Sequence, residues 1–246
     1  MKNLFTKLMA VALMALLVCS TVSFAGDMKG GGGGGVNFGV IAGLNMANLG
    51  DLPSGSPSSS MLIGFHVGAF ADFGITDNIY FQPGVTYSTQ GAKFNQSTTS
   101  YGVTDANDIN YNLSYINIPL NFSYRLSSGL NFNVGPYIGI NLAAKRKGTE
   151  TLSGGGIDST ITVNDDLKNP PAPATSNINS VDFGIGLGIG YMMASGLGFK
   201  AGYSLGLAKV QKSYTYTDIT GATQTQAASV TNNVITVSVI YEFGKK

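Results

Sequence analysis

Charge is scarce in this chain: Lys, Arg, Asp and Glu make up 11% of 246 residues, against about 25% in soluble globular proteins. The 14 basic and 13 acidic side chains nearly cancel, and no basic stripe with interleaved aromatics occurs, so nothing points to nucleic acid. There is one cysteine, Cys19, and one histidine, His66. Neither a multi-ligand metal site nor a disulfide framework can be built from these. Nowhere do 18 consecutive apolar residues occur, which argues against a helical membrane protein. No catalytic or cofactor-binding constellation stands out either, and the expectation is a non-enzyme without cofactor or metal.

What the chain does have is glycine, 34 residues of it, and a period of two. From Val36 to Met46, Val36, Phe38, Val40, Ala42, Leu44 and Met46 share one face, while Asn37, Gly39, Gly43 and Asn45 occupy the other; Ile41 is the bulky intruder. Successive β side chains point to opposite faces, so this is a strand with one apolar and one small, polar side. Seven further segments repeat the pattern: Met61 to Phe73, Ile79 to Thr89, Leu113 to Leu126, Leu130 to Leu142, Phe183 to Tyr191, Leu197 to Leu207 and Ile235 to Phe243. The gaps between them run long, short, long, short, long, short, long. The predicted fold is all-β: an eight-stranded antiparallel up-and-down transmembrane barrel, with short turns and both termini on the periplasmic side and long loops outside. The long gaps, including Gly91 to Asn112 and Arg146 to Asn177, read as polar loops.

Strands of about 11 residues suit a tilted crossing of a hydrocarbon core of about 30 Å. Phe38, Phe73, Phe81, Tyr124, Phe132, Tyr191, Phe199 and Phe243 fall on the apolar face near the short-turn ends, where a barrel carries an aromatic girdle. A soluble barrel of lipocalin type would point its apolar face inward and leave an almost uncharged Gly, Asn and Ser face in water. Pro83, Pro119 and Pro136 fall inside strands of a sheet without edges, so bulges or lost ladder bonds are expected there.

The N-terminus indicates the compartment. Lys2 and Lys7 precede an apolar run from Leu8 to Val18, then Ser23-Phe24-Ala25, a small-x-small cleavage site before Gly26. Residues 1–25 read as a secretory signal peptide, 26–35 as a Gly-rich leader and 36–246 as one barrel domain in a Gram-negative outer membrane. Val18 fits a lipoprotein signal at Cys19 poorly.

Tyr115-Ile116-Asn117-Ile118-Pro119-Leu120 followed by Asn133-Val134-Gly135-Pro136-Tyr137-Ile138-Gly139 resembles the strand-four to strand-five hairpin of the outer-membrane β-barrel proteins of Bacteroidetes, the porin family or PorT-like group. Gly64-Phe65-His66-Val67-Gly68, Gln82-Pro83-Gly84-Val85, Gln90-Gly91-Ala92-Lys93 and Tyr203-Ser204-Leu205-Gly206-Leu207 are similar to its other recurring segments. The resemblance implies a barrel from about Val36 to Phe243 without catalytic residues, and ties its closer members to gliding and protein secretion.

Candidate site residues follow from the alternation. Asp72, Arg125, Lys200 and Glu242 fall on inward positions close to the short-turn end, two acids with two bases, and are expected to form an ionic cluster that plugs the barrel or selects ions. His66 falls on the polar face at mid-depth and is expected to be a hydrogen-bonded lumen residue rather than a base. Gly184, Gly186, Gly188 and Gly190 alternate strictly, which is a strand face and not a dinucleotide loop; bulky residues such as Tyr80, Tyr115 and Tyr137, or water, must fill the space they leave. Lys145, Arg146 and Lys147 lie at the outer end of strand five, where lipopolysaccharide phosphates would meet them. The expected partners are outer-membrane lipid and lipopolysaccharide, with envelope proteins or an extracellular ligand at the loops. Two functions remain open: binding or envelope assembly through the loops, and a small passive pore.

Overall fold

The computed structural model describes residues 36–50, 59–171, 176–217, 223–226 and 230–244. The expected signal peptide and leader lie outside them. Eleven strands are described: β1 (Val36–Gly50), β2 (Ser59–Gly74), β3 (Ile79–Ser100), β4 (Val103–Arg125), β5 (Leu130–Gly154), β6 (Ile157–Asp166), β7 (Val181–Met192), β8 (Leu197–Gly206), β9 (Tyr214–Thr217), β10 (Thr223–Gln226) and β11 (Thr231–Glu242). Eight of them close an antiparallel ring in the order β1, β2, β3, β4, β5, β7, β8, β11, with β11 pairing back onto β1 from Gly39↔Glu242 to Gly50↔Thr231. This is the eight-stranded barrel that the alternation predicts.

The two faces sort as the pattern requires. Leu44, Ile63, Phe65, Val85, Val134, Leu187 and Val237 are exposed on the outside, while Asn45, His66, Ser88, Asn131, Asn133 and Ser238 are buried within. Such an outer surface is stable only against hydrocarbon. Cross-strand pairs next to the turns, Phe73↔Phe81, Tyr124↔Phe132 and Tyr191↔Phe199, supply the girdle.

Two expected loops are strands. Gly91 to Asn112 continues β3 and β4 into a hairpin whose central residues, Tyr101 and Gly102, have φ of 51° and 76°. Arg146 to Asn177 continues β5 and adds β6 across Gly155 and Gly156, with φ of 62° and 84°. Positive φ at both central residues is the requirement of a type I′ hairpin turn. Register continues across β4 and β5 as far as Val103↔Gly154, so β3, β4, β5 and β6 form one four-stranded sheet beyond the barrel.

The prolines interrupt pairing without shifting it. The breaks fall between Phe70↔Gly84 and Phe73↔Phe81, between Pro83↔Leu120 and Thr86↔Asn117, and between Pro119↔Tyr137 and Phe122↔Val134. Each spans equal numbers of residues on both strands, so ladder bonds are lost at the missing N–H groups and register is kept. Register shifts occur elsewhere, between Met61 and His66 against β3 and between Ser114 and Tyr115 against β5. In the second, Ser114 pairs with Ala143 and Tyr115 with Asn141, which leaves Leu142 as the extra residue of a bulge.

Candidate functional site

Four levels stack along the barrel axis from the short turns outward. At the turn end, Arg125 on β4 reaches across the lumen to two acids. Its Nη2 pairs with the Asp72 carboxylate on β2, and its Nη1 lies 3.3 Å from Glu242 Oε2 on β11. The remaining acceptors are served by neighbours: Gln82 Nε2 donates to Asp72 Oδ1 at 3.0 Å, and Asn37 Nδ2 to Glu242 Oε1 at 3.0 Å. The guanidinium also lies 4.2 Å over the Tyr80 ring. Both carboxylates are fully buried, so they are tolerable only because each is paired and hydrogen-bonded. Asn37, Tyr80 and Gln82 were not assigned to this cluster from the sequence, although their inward phase beside the turns marks them.

Lys200 does not join this ion pair. It makes no hydrogen bond or salt bridge with any described residue, and it stands opposite Gly190 on β7 and Ser238 on β11. Its Cε lies 2.9 Å from where a Cβ on Gly188 would be. Gly188 is one inward position farther from the turns than Gly190, so the bare glycine face lets the lysine lean up the barrel instead of down to Asp72.

Above it is a polar chamber of about 130 Å³, lined by Asn45, His66, Ser88, Lys200 and Ser238 among others. Asn45 Nδ2 faces the Phe65 and Thr89 carbonyls at 3.0 and 2.8 Å and Ser88 Oγ at 2.9 Å. Carbonyls only accept, so this end of the amide is the nitrogen, and Oδ1 accepts from His66 Nδ1 at 2.7 Å. His66 Nε2 then accepts from the Ser238 hydroxyl at 2.9 Å. Serine, histidine and amide stand in the order of a nucleophilic relay, but Ser238 is 3% exposed and His66 7%, at mid-barrel. The network instead ties β1, β2, β3 and β11 together, as a hydrogen-bonded lumen histidine should. Replacing Asn45 by Ala strands the His66 N–H and is expected to cost about 1–3 kcal/mol, read as a lower urea midpoint in lipid vesicles; an unchanged midpoint would contradict this assignment.

The glycine face is filled largely by neighbours. A Cβ on Gly184 would lie 2.7 Å from the Tyr137 ring, and one on Gly39 would lie 2.2 Å from the Phe70 ring. Gly186 is the open stretch, with nothing nearer than 3.8 Å.

At the far mouth, Leu49, Ala92, Leu113, Tyr115, Ala144, Ile178, Val210 and Val230 form one buried apolar cluster. They come from β1, β3, β4, β5 and the segments bordering β7, β8 and β11, so every barrel strand but β2 sends a residue over the opening or borders one that does. Polar groups lie directly beneath: Asn232 Nδ2 donates to Asp182 Oδ2 at 3.0 Å and to the Tyr115 hydroxyl oxygen at 3.2 Å, and the Tyr137 hydroxyl donates to Asp182 Oδ2 at 3.5 Å. Sequence reading missed Asp182, though it shares the phase of Gly184 to Gly190.

Beyond the cap, the four-stranded sheet borders a cleft of about 600 Å³. The Leu142 bulge decides what it contains. Unbroken alternation from Asn141 would send Lys145 and Lys147 inward; the extra residue reverses the phase. Arg146 therefore turns into the cleft, with Nε 3.0 Å from Asp165 Oδ2 and Nη2 3.6 Å from Glu150 Oε1, while Lys145 and Lys147 are exposed on the other face. The expected basic triplet is thus split.

An antiparallel barrel with an apolar exterior, an aromatic girdle at one rim and a polar, ion-paired interior defines an integral membrane protein of the outer-membrane type. Residues 24–212 match the family described as outer membrane protein beta-barrel domain, and the chain belongs to that family. Its place is therefore the bacterial outer membrane. No curated protein matches the sequence. Among solved structures, the chain is similar to Ail, the attachment invasion locus protein of Yersinia pestis, with 11% identity over 84% of this chain and 98% of that one and a TM-score of 0.40. It is similar to neisserial surface protein A with 16% identity over 85% and 99% and a TM-score of 0.37. It is also similar to the CymD monoaromatic hydrocarbon channel, with 9% identity over 86% and 89% and a TM-score of 0.31.

Proposed function

We propose that this chain is a non-enzymatic, non-conducting outer-membrane barrel that holds a binding sheet above the cell surface. The observation that carries the reading is the double closure of the lumen, by the Asp72, Arg125 and Glu242 ion pairs at one end and the Leu113 and Tyr115 cluster at the other. Eight strands enclose a space that side chains nearly fill. Meanwhile Val103 to Leu113 carries β4 about 33 Å beyond the cap at the usual strand rise.

On this reading the short turns and both termini are periplasmic, residues 1–25 are a cleaved signal peptide, and the sheet is extracellular. The buried charges are a structural plug. Lys145 and Lys147, exposed on the outer face at the base of the sheet, are placed to meet lipopolysaccharide phosphates, and Arg146 is not. The hairpin motifs support a finer placement in the PorT-like group of Bacteroidetes. A small passive pore is the second reading, favoured by the chamber and by the bare wall at Gly186.

Conductance in planar bilayers separates the two, on protein whose heat-dependent gel mobility certifies a folded barrel. A silent bilayer is the expected result; discrete, salt-dependent steps would establish the pore.

A further inference from the structure

The inner face of the external sheet is a grid set by its registers. Gln96, Asn107, Glu150 and Ile161 form one row across β3, β4, β5 and β6. Phe94, Ile109, Gly148 and Val163 form the row below, and Ala92, Tyr111, Arg146 and Asp165 the next. Asp105 stands one row farther out, opposite Leu152. Gly148 is the low point, because a Cβ there would lie 1.9 Å from the Asp108 carbonyl oxygen and its φ is 156°. Phe94 and Tyr111 pack edge to face at 5.3 Å beside it.

Three features of this face narrow the ligand. β4 and β5 are paired on both sides along these rows, so a ligand lying across the middle of the sheet gains no main-chain hydrogen bonds there and recognition falls to side chains. The amides of Gln96 and Asn107 both donate and accept, the Glu150 and Asp105 carboxylates accept, and the first three recur at the inter-strand spacing of about 4.8 Å. That is a surface for hydroxyl groups, which also donate and accept, spaced on the scale of one sugar ring, with aromatic rings at its floor for apolar C–H faces. Finally, Arg146 is already neutralised by Asp165 and Glu150, whereas among the described residues Asp105 is met only by the Asn107 amide at 3.1 Å. The face is net negative and disfavours sulfated or phosphorylated ligands.

We propose that this cleft binds an uncharged oligosaccharide, through Gln96, Asn107, Asp105 and Glu150 with Phe94 and Tyr111 as the stacking floor. A volume of about 600 Å³ lies within the usual range for small-ligand sites and accommodates two or three sugar rings. The inference rests on the reading of the external sheet as the binding element.

The test is isothermal titration calorimetry of the full-length barrel in detergent with maltotriose, cellotriose and chitotriose, and with sucrose octasulfate as the polyanion. At least one neutral trisaccharide is expected to bind, and Asn107→Ala and Gln96→Ala, both on the solvent-facing sheet, to weaken it roughly ten-fold each. Heat-shifted gel mobility of each variant certifies the barrel. No heat from any neutral sugar, affinity unchanged in both variants, or tighter binding of the polyanion would each overturn the saccharide assignment. Conductance on the same protein keeps the two readings apart: a silent barrel that ignores the sugars overturns the saccharide alone, and an open channel overturns the closed-barrel reading.

Discussion

Arg125→Met destabilises the folded barrel by about 3–5 kcal/mol. The substitution leaves the Asp72 carboxylate, with its fully buried side chain, without its guanidinium, and removes the cation 3.3 Å from the equally buried Glu242. Loss of a surface ion pair would cost under about 1 kcal/mol; the larger figure applies because water cannot replace the guanidinium between them. The decisive comparison is a triple variant, Arg125→Met with Asp72→Asn and Glu242→Gln, which deletes all three charges. It should recover most of the loss, since the cost lies in unpaired charge and not in missing attraction. Urea unfolding in lipid vesicles, followed by heat-shifted gel mobility, reads both. Equal midpoints for the single and triple variants would mean that Arg125 acts through packing over Tyr80 instead. Neither variant is expected to conduct, because the apolar cap over the opposite mouth is untouched.

Gly43→Val prevents barrel closure, with no heat-shifted species on the gel. The position lies on the seam where β1 meets β11, paired with Ser238. A Cβ there would stand 2.2 Å from the Val237 carbonyl oxygen and 2.7 Å from both the Ser238 Cα and the His66 ring. Two of the three obstacles are backbone, so relief requires moving one closing strand away from the other. Overpacking a well-packed interior costs about 1–3 kcal/mol, and more where backbone must shift. Gly186→Ala is the matched control in the same glycine-rich lining: its nearest neighbour is 3.8 Å away, so it should fold at the wild-type midpoint. A folded Gly43→Val barrel, or an unfolded Gly186→Ala one, would sink this account of the glycines.

The two variants also divide what was readable from what was not. Gly43 and Gly186 are indistinguishable in the sequence, each a glycine at an inward position between apolar residues. One is filled by His66 and a neighbouring backbone, the other by nothing, and that depends on which long side chains the opposite strands send across. Lys200 makes the same point. Its phase and depth were legible and suggested a partner for Asp72, yet the bare Gly188 beside it offers another direction. Asp72, Arg125 and Glu242 meet in the structure, because inward phase next to a turn allows few other contacts.

The misread loops have a different cause. Gly91 to Asn112 and Arg146 to Asn177 carry polar residues on both faces, since beyond the membrane neither side of the sheet meets hydrocarbon. A period of two shows in a sequence only where the two sides differ. The strands there declare themselves through β-branched residues and through Tyr101-Gly102 and Gly155-Gly156, whose turn geometry appears only once the chain is folded. The Leu142 bulge is likewise silent in the sequence, and it alone sends Arg146 into the cleft and leaves Lys145 and Lys147 outside.

By itself the sequence determined the number of barrel strands, their direction, which face of each meets lipid and which end carries the turns. All of these follow from local alternation between two solvents that differ strongly. The tertiary structure alone decided what caps the outer mouth, which neighbours hold the ion pairs, how the glycine face is filled and what the outer sheet presents. Those features come from side chains meeting across the ring, such as Asn37 with Glu242 and His66 with Ser238, 205 and 172 residues apart. No local pattern records a contact between residues so distant along the chain.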